Sequence, residues 1–343
     1  MRERERESPS CDVADSSTLS YIFFPVDNVN SQPPSSAFAA RPETIRGAIT
    51  PLVTPFAEDG SVDLDAIGRL VDWQIERGSH GISVGGSTGE PTSQTVAERI
   101  SVMRAAAEAI DGRVPFLPGT GSALLDETFE LTAEAERLGA AGALVVTPYY
   151  SRAQQDGLYE WYARVATEFP ELPILVYNVP IRAAVDIAPA TVGRLHRAFP
   201  NIVGIKETTK DFEHVSYVLA ECGTDFIALS GIELLCYPML TLGGRGHLSC
   251  VSNFAPEPVA KLYDAFVEGD DETARQMHYE LHPLVDAAFA ETNPVPAKWV
   301  MAELGLLASA KAREPLAPLS EAGRRKVRAL LAQSPHVALG AAA

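Results

Sequence analysis

From Arg46 onward, short β-rich runs recur at a regular interval of roughly 30 residues, most of their residues apolar at consecutive positions, and this constrains the fold more than any other feature. The runs are AITPLVTPF (48–56), GISVGGS (81–87), VPFLPGT (114–120), ALVVTP (143–148), ILVYNV (174–179), IVGIKET (202–208), FIALSG (226–231) and HLSCV (247–251). A strand that is apolar on both sides must be covered on both sides, which is the condition of a parallel sheet under helices. The intervening segments supply those helices. TVAERISVMRAAAEAI (95–110) puts Val96, Ile100, Met103, Ala107 and Ile110 on one face, and LDETFELTAEAERLG (125–139) closes on Gly139 as a C-cap. Eight such units close most simply into a (β/α)8 TIM barrel, which needs roughly 250 residues. A doubly wound open sheet is the alternative, and the regularity of eight units favours closure.

The expected organisation is a barrel over 44–270, a C-terminal helical extension over 271–333 that lies behind it, and a disordered tail over 334–343. Residues 1–43 are rich in Ser, Pro and Asn with alternating Arg and Glu, and show no sustained period. They are expected to be a disordered extension, or to precede a true start near Thr44.

Charge and cysteine usage narrow the function. Lys+Arg 28 against Asp+Glu 45 gives a formal charge of −17, which repels phosphate backbones and anionic lipid headgroups, so neither nucleic acid nor a membrane is an expected partner. No apolar run approaches the roughly 20 residues of a membrane span, and YIFFPV (21–26) is too short for a secretory signal. Cys11, Cys222, Cys236 and Cys250 show no CxxC spacing and read as reduced thiols of a cytoplasmic protein. His278 and His282 sit four apart in HYELH, but Glu280 is two residues on from the first histidine, where a hydrolytic zinc helix needs its Glu directly after it; no metal site is expected.

In such barrels the active site lies at the C-terminal ends of the strands. Those positions carry Gly85-Gly86-Ser87-Thr88-Gly89-Glu90, Thr147-Pro148-Tyr149-Tyr150, Tyr177-Asn178-Val179-Pro180-Ile181-Arg182, Lys206-Glu207 and Ser230-Gly231. Hydroxyls, phenols, one arginine and one lysine thus converge, with no histidine among them. Lys206 closes the apolar run Ile202-Val203-Gly204-Ile205, and lysine is almost never fully buried without a reason. Desolvation favours the neutral amine, which attacks ketones to form a Schiff base, an electron sink beside the former carbonyl. A phenol on the neighbouring strand, Tyr177, suits the proton transfers that follow. The plain alternative is an ion pair with Glu207 or a strand-end lysine reaching solvent.

The ordered set GSTGE, TPYY, YNVPxR, GIKE, SG and NPVPAKW (293–299) resembles the dihydrodipicolinate synthase / N-acetylneuraminate lyase family of class I, pyruvate-dependent aldolases, over about 46–330. The resemblance implies that Lys206 forms the imine with pyruvate and that Tyr177 shuttles protons. It implies that Ser87 and Thr88 hold the pyruvate carboxylate, that Thr88 links Tyr177 to Tyr150 in a relay, and that Gly231 and Leu248 complete the substrate pocket. The imine takes the place of any cofactor, and no metal is implied. The tyrosine matching Tyr150 is lent across a subunit interface in this family, which implies a homo-oligomer, a dimer at least and commonly a homotetramer.

Arg182, two residues beyond Pro180, matches the arginine with which the synthases grip the carboxylate of aspartate semialdehyde, and sialic acid lyases lack it. Around it the chain departs from the synthase pattern: Arg182-Ala183-Ala184 replaces Arg-Thr-Gly, Lys210 stands where Gly is commoner, and Ile232-Glu233 replaces an acidic pair. The first expectation is therefore condensation of pyruvate with aspartate 4-semialdehyde to 4-hydroxy-tetrahydrodipicolinate. The second is a catabolic aldolase or hydratase acting on another acidic 2-oxo acid, such as a 4-hydroxy-2-oxo diacid. A catalytically silent barrel is the third. At the positions where lysine-responsive members bind lysine, Arg99, Val96 and Ala123 replace the polar partners, so weak or absent inhibition by lysine is expected.

Overall fold

Seven parallel strands lie side by side in the order β2-β1-β7-β6-β5-β4-β3 in the computed structural model, which describes residues 42–340. They are β1 (Gly47–Pro51), β2 (Gly81–Ser83), β3 (Ala143–Val146), β4 (Ile174–Asn178), β5 (Ile202–Glu207), β6 (Ile227–Ser230) and β7 (Gly246–Leu248). The third expected run, 114–120, is the one outside these seven strands, and it bridges the two outer ones. It bonds β2 and its extension through Ile82 N–Pro115 O (3.0 Å), Leu117 N–Ile82 O (2.9 Å) and Gly119 N–Val84 O (2.7 Å). It bonds β3 through Leu144 N–Pro118 O (2.9 Å) and Thr120 N–Leu144 O (3.0 Å), and so the ring closes. Pro115 and Pro118 have no N–H, so this run carries isolated bridges in place of a continuous ladder.

Inside the ring Ile49, Leu117, Leu144, Leu175, Tyr177, Leu229 and Leu248 pack together. Outside it, two larger clusters fill the space between strands and helices. The helices Asp271–Glu280, His282–Ala288, Val295–Glu303 and Glu321–Leu331 follow the barrel and share one of those clusters with its helices. Of the expected tail, 334–340 is described: Val337 is buried and His336 Nε2 bonds Glu280 at 2.7 Å. The expectation for 1–43 falls almost wholly outside the described residues. No helix among the described residues is long and apolar enough to cross a membrane.

The helix Val96–Ile110 begins with a capping box, Thr95 Oγ1 accepting from Glu98 N at 3.2 Å and Glu98 Oε2 accepting from Thr95 N at 2.9 Å. Its buried face is Arg99, Val102, Met103, Ala106 and Ile110, rotated from the expected one. The cause is Arg99, whose Nη2 donates to Gly119 O and Gly121 O at 3.1 Å each and turns inward a residue that periodicity counts as polar. Burial pulls this guanidinium down to about 10, with Tyr149 and Glu127 acting the other way. The following helix, Leu125–Arg137, ends as expected, with Gly139 at φ +69.

Two buried histidines set a pH dependence. Burial pulls His214 down, but Glu207 (Nδ1–Oε2 3.0 Å), the Ile187 carbonyl (2.8 Å from Nε2) and Asp186 together outweigh burial and raise it to about 9. Burial drives His247 down to about 4, and His80 adds to the effect. His214 therefore contributes stability that is complete below about 6.5 and lost as pH rises toward 9, whereas His247 contributes stability present above 6.5 and lost as pH falls through 4. We expect the urea midpoint to peak near pH 6.5 and His214→Gln to flatten the fall above it. An alkaline limb of unchanged slope in that variant would overturn the assignment.

Candidate active site

Tyr177 and Lys206 are paired across β4 and β5, and Lys206 faces Leu229 of β6. Alternation along a strand sends Lys206 inward and Glu207 outward. Outside the ring Glu207 is engaged by Asn178 Nδ2 (3.1 and 3.0 Å), Thr209 N (2.7 Å) and His214. It is not available as a partner for Lys206, which disposes of the plain alternative. Lys206 is 5% exposed, and its Nζ lies 4.1 Å from the centroid of the Tyr177 ring. Among the described residues no hydrogen bond or ion pair to that nitrogen is found.

Gly231 follows β6 and must be small. A Cβ there would stand 2.2 Å from Thr208 Cγ2 and 2.9 Å from Lys206 Cε, so any side chain would push the amine aside. Leu248, at the end of β7, is buried in the inner cluster with Tyr177 and Leu229.

The GGSTGE turn after β2 is shaped by tight constraints. Gly85 has φ +70, and a Cβ on it would come within 2.8 Å of Gly119 O. Ser87–Gly89 forms one 3-10 turn, and Glu90 then takes a left-handed conformation at φ +55. That unusual backbone is held by the Glu90 side chain. Oε2 accepts from Arg313 N at 2.9 Å, and Oε1 pairs with Lys298, a lysine 0% exposed. Lys298 Nζ also donates to Lys311 O (2.8 Å) and lies 4.1 Å from the Phe56 ring centroid. Burial pulls this ammonium down to about 8 against the pull of Glu90.

Neighbouring side chains on a 3-10 turn diverge by a third of a turn, so the Ser87 and Thr88 hydroxyls meet different protein partners. Ser87 Oγ is the hydroxyl that meets Tyr177 OH, at 3.2 Å. Thr88, expected in that relay, receives Asn293 Nδ2 at 3.1 Å. A cavity of about 300 Å³ opens above, lined by Gly86, Ser87, Tyr149, Tyr177, Val179 and Arg182. Arg182 lies in the short helix Pro180–Ala183 at the rim, exposed, with Nη2 on Asn293 O at 3.3 Å. Tyr150 stands apart, 91% exposed at φ +76, on the loop after β3.

Three residues of this site had been given no role. Cys250 and Glu233, both 4% exposed, meet where the Cys250 N–H donates to Glu233 Oε1 at 2.7 Å. Burial raises the Glu233 carboxyl above its ordinary value. Asn293 opens NPVPAKW, and that motif was the one signal that could have drawn it in.

The model of the dihydrodipicolinate synthetase family matches residues 44–334. A 4-hydroxy-tetrahydrodipicolinate synthase of Thermus thermophilus is 45% identical over 283 residues, 82% of this chain and 94% of that protein. The structure of the 4-hydroxy-tetrahydrodipicolinate synthase from Methylacidiphilum fumariolicum SolV superposes with a TM-score of 0.81 at 39% identity, covering 84% of this chain and 95% of that one. The dihydrodipicolinate synthase from Acinetobacter baumannii complexed with pyruvate does so with a TM-score of 0.82 at 35% identity, covering 85% and 100%. A strand-borne lysine over a tyrosine, in a chain that matches these proteins from its first strand to its last helix, has one reading: the chain belongs to the dihydrodipicolinate synthetase family.

Proposed function

We propose that this protein condenses pyruvate with aspartate 4-semialdehyde to 4-hydroxy-tetrahydrodipicolinate, through an imine on Lys206. The observation that carries the proposal is a buried lysine with no hydrogen bond or ion pair among the described residues, seated over the ring of a tyrosine whose hydroxyl meets Ser87. The amine adds to C2 of pyruvate, water leaves, and the resulting iminium accepts the electron pair when a C3 proton is removed. Tyr177 moves that proton, with Ser87 as its next partner. The enamine carbon then attacks the aldehyde, whose oxygen takes up a proton as the hydroxyl. The amino group of the semialdehyde displaces Lys206 from C2, closing the ring and freeing the lysine. One water is released over the cycle.

Ser87 and Thr88 are assigned to the carboxylate of pyruvate, with Gly231 and Leu248 packing the pocket around it. Tyr150, 91% exposed, is assigned to the site of a second copy, which makes the working form a dimer at least. The names of the relatives favour the synthase over a catabolic aldolase or hydratase. Sodium borohydride added with pyruvate should fix a three-carbon adduct on the peptide bearing Lys206, and addition of aspartate 4-semialdehyde should yield the cyclic product. An adduct on another lysine, or turnover with a neutral aldehyde alone, would refute the proposal.

Arg182 is assigned to the carboxylate of the semialdehyde. A guanidinium is permanently charged and offers paired donors, and this one lines the cavity rim with no carboxylate partner among the described residues. Arg182→Ala should leave the pyruvate adduct intact. It should lose roughly 2–4 kcal/mol of transition-state stabilisation toward a carboxylate-bearing aldehyde and little toward a neutral one. Equal losses for the two aldehydes in kcat/KM would remove the clamp.

A further inference from the structure

Thr88 is held by a residue 205 positions away in the chain. Asn293 Nδ2 donates to Thr88 Oγ1 at 3.1 Å, Cys250 Sγ donates to Asn293 Oδ1 at 2.9 Å, and Arg182 Nη2 donates to the backbone carbonyl of Asn293 at 3.3 Å. Cys250 is itself anchored, its N–H on the buried Glu233 at 2.7 Å. One asparagine therefore touches both places to which a substrate carboxylate has been assigned.

The direction of these bonds matters. A primary amide has an acceptor end and a donor end, and turning it over exchanges them. The thiol proton needs an acceptor, and Asn293 Oδ1 provides it. This fixes the amide with its NH2 group toward Thr88. A hydroxyl that accepts from Asn293 must send its own proton elsewhere. The Cys250 sulfur, bound to the other end of the same amide, is a weak acceptor.

We infer that Asn293 is a positioning residue for carboxylate recognition: its amide, locked by Cys250, commits the Thr88 hydroxyl to donate to the carboxylate of the 2-oxo acid. Its backbone carbonyl places Arg182 for the second substrate. The inference rests on the imine reading of the site and adds to it how the first carboxylate is told from a neutral group.

The test uses the full chain and borohydride trapping with pyruvate. In Asn293→Asp the ionised side chain accepts where the amide donated, so Thr88 turns its proton away from the substrate. Half-saturating pyruvate should rise roughly 10–100-fold at pH 8, with the adduct at saturation unchanged. The ratio to the wild type should shrink as pH falls toward 5.5, because a protonated carboxyl can donate again. Cys250→Val, which unlocks the amide, should raise half-saturation by a smaller factor, and Cys250→Ser should not. A purely structural role would give a ratio that does not change with pH, and that result would overturn the inference. So would an unchanged half-saturation in Asn293→Asp. If the wild-type protein forms no adduct at all, the imine reading fails first and this assignment falls with it; a wild-type adduct with unaltered variants sinks this assignment alone.

Discussion

Lys206→Ala should abolish the borohydride adduct and lower turnover by roughly 10⁴-fold or more, because the covalent route disappears with the nucleophile. Lys206→Arg should be equally inactive. It keeps a cation near the Tyr177 ring but offers no amine that can form an imine. Folding should survive both changes. Lys206 is 5% exposed and has no hydrogen bond among the described residues, so alanine removes a group whose desolvation opposed folding. Circular dichroism and the melting temperature check this. Turnover within tenfold of the wild type in either variant would remove Lys206 from the mechanism.

The second large effect concerns the other buried lysine. Lys298 and Glu90 are 0% and 4% exposed, and each is the other's charge partner. Breaking such a pair from one side strands a charge in the interior and costs roughly 3–5 kcal/mol. Lys298→Ala should show that loss as a lower urea midpoint. It should also slow imine formation, because Glu90 holds the left-handed end of the turn that carries Ser87 and Thr88. The paired change Glu90→Gln with Lys298→Met leaves no bare charge and should recover most of the stability. A double variant no more stable than Lys298→Ala would show that the pair is not the cause. The wild-type pair adds a pH signature: with Lys298 pulled to about 8, its contribution to stability rises between pH 8 and 10.5, opposing the His214 loss between pH 8 and 9.

The barrel was legible because two-sided apolar runs leave few architectures open, and Lys206 and Tyr177 were legible because they stand at run ends. Misreadings have local physical causes. Arg99 spends its donors on the carbonyls of Gly119 and Gly121, so a helix face centred on it looks polar in sequence. Ser87 and Thr88 are adjacent and chemically alike, and only the turn geometry says which one meets Tyr177. Glu233 and Cys250 follow β6 and β7, whereas Asn293 lies between the helices His282–Ala288 and Val295–Glu303. Their bonds have no periodic trace, so nothing in the sequence joins them.

The run 114–120 has a consequence for how the ring breathes. Every other junction of the barrel is a strand ladder, whereas this one is stitched by separate bridges around two prolines. Local opening takes the path with fewest bonds to break, so amide exchange at Leu117 and Gly119 should outpace that of β4 and β5. The backbone on the far side of the same junction is Gly85, packed against Gly119 and lining the cavity. Loosening there would admit water beside the Gly85–Glu90 turn while β4 and β5 stay closed, although only β3 separates them from the run.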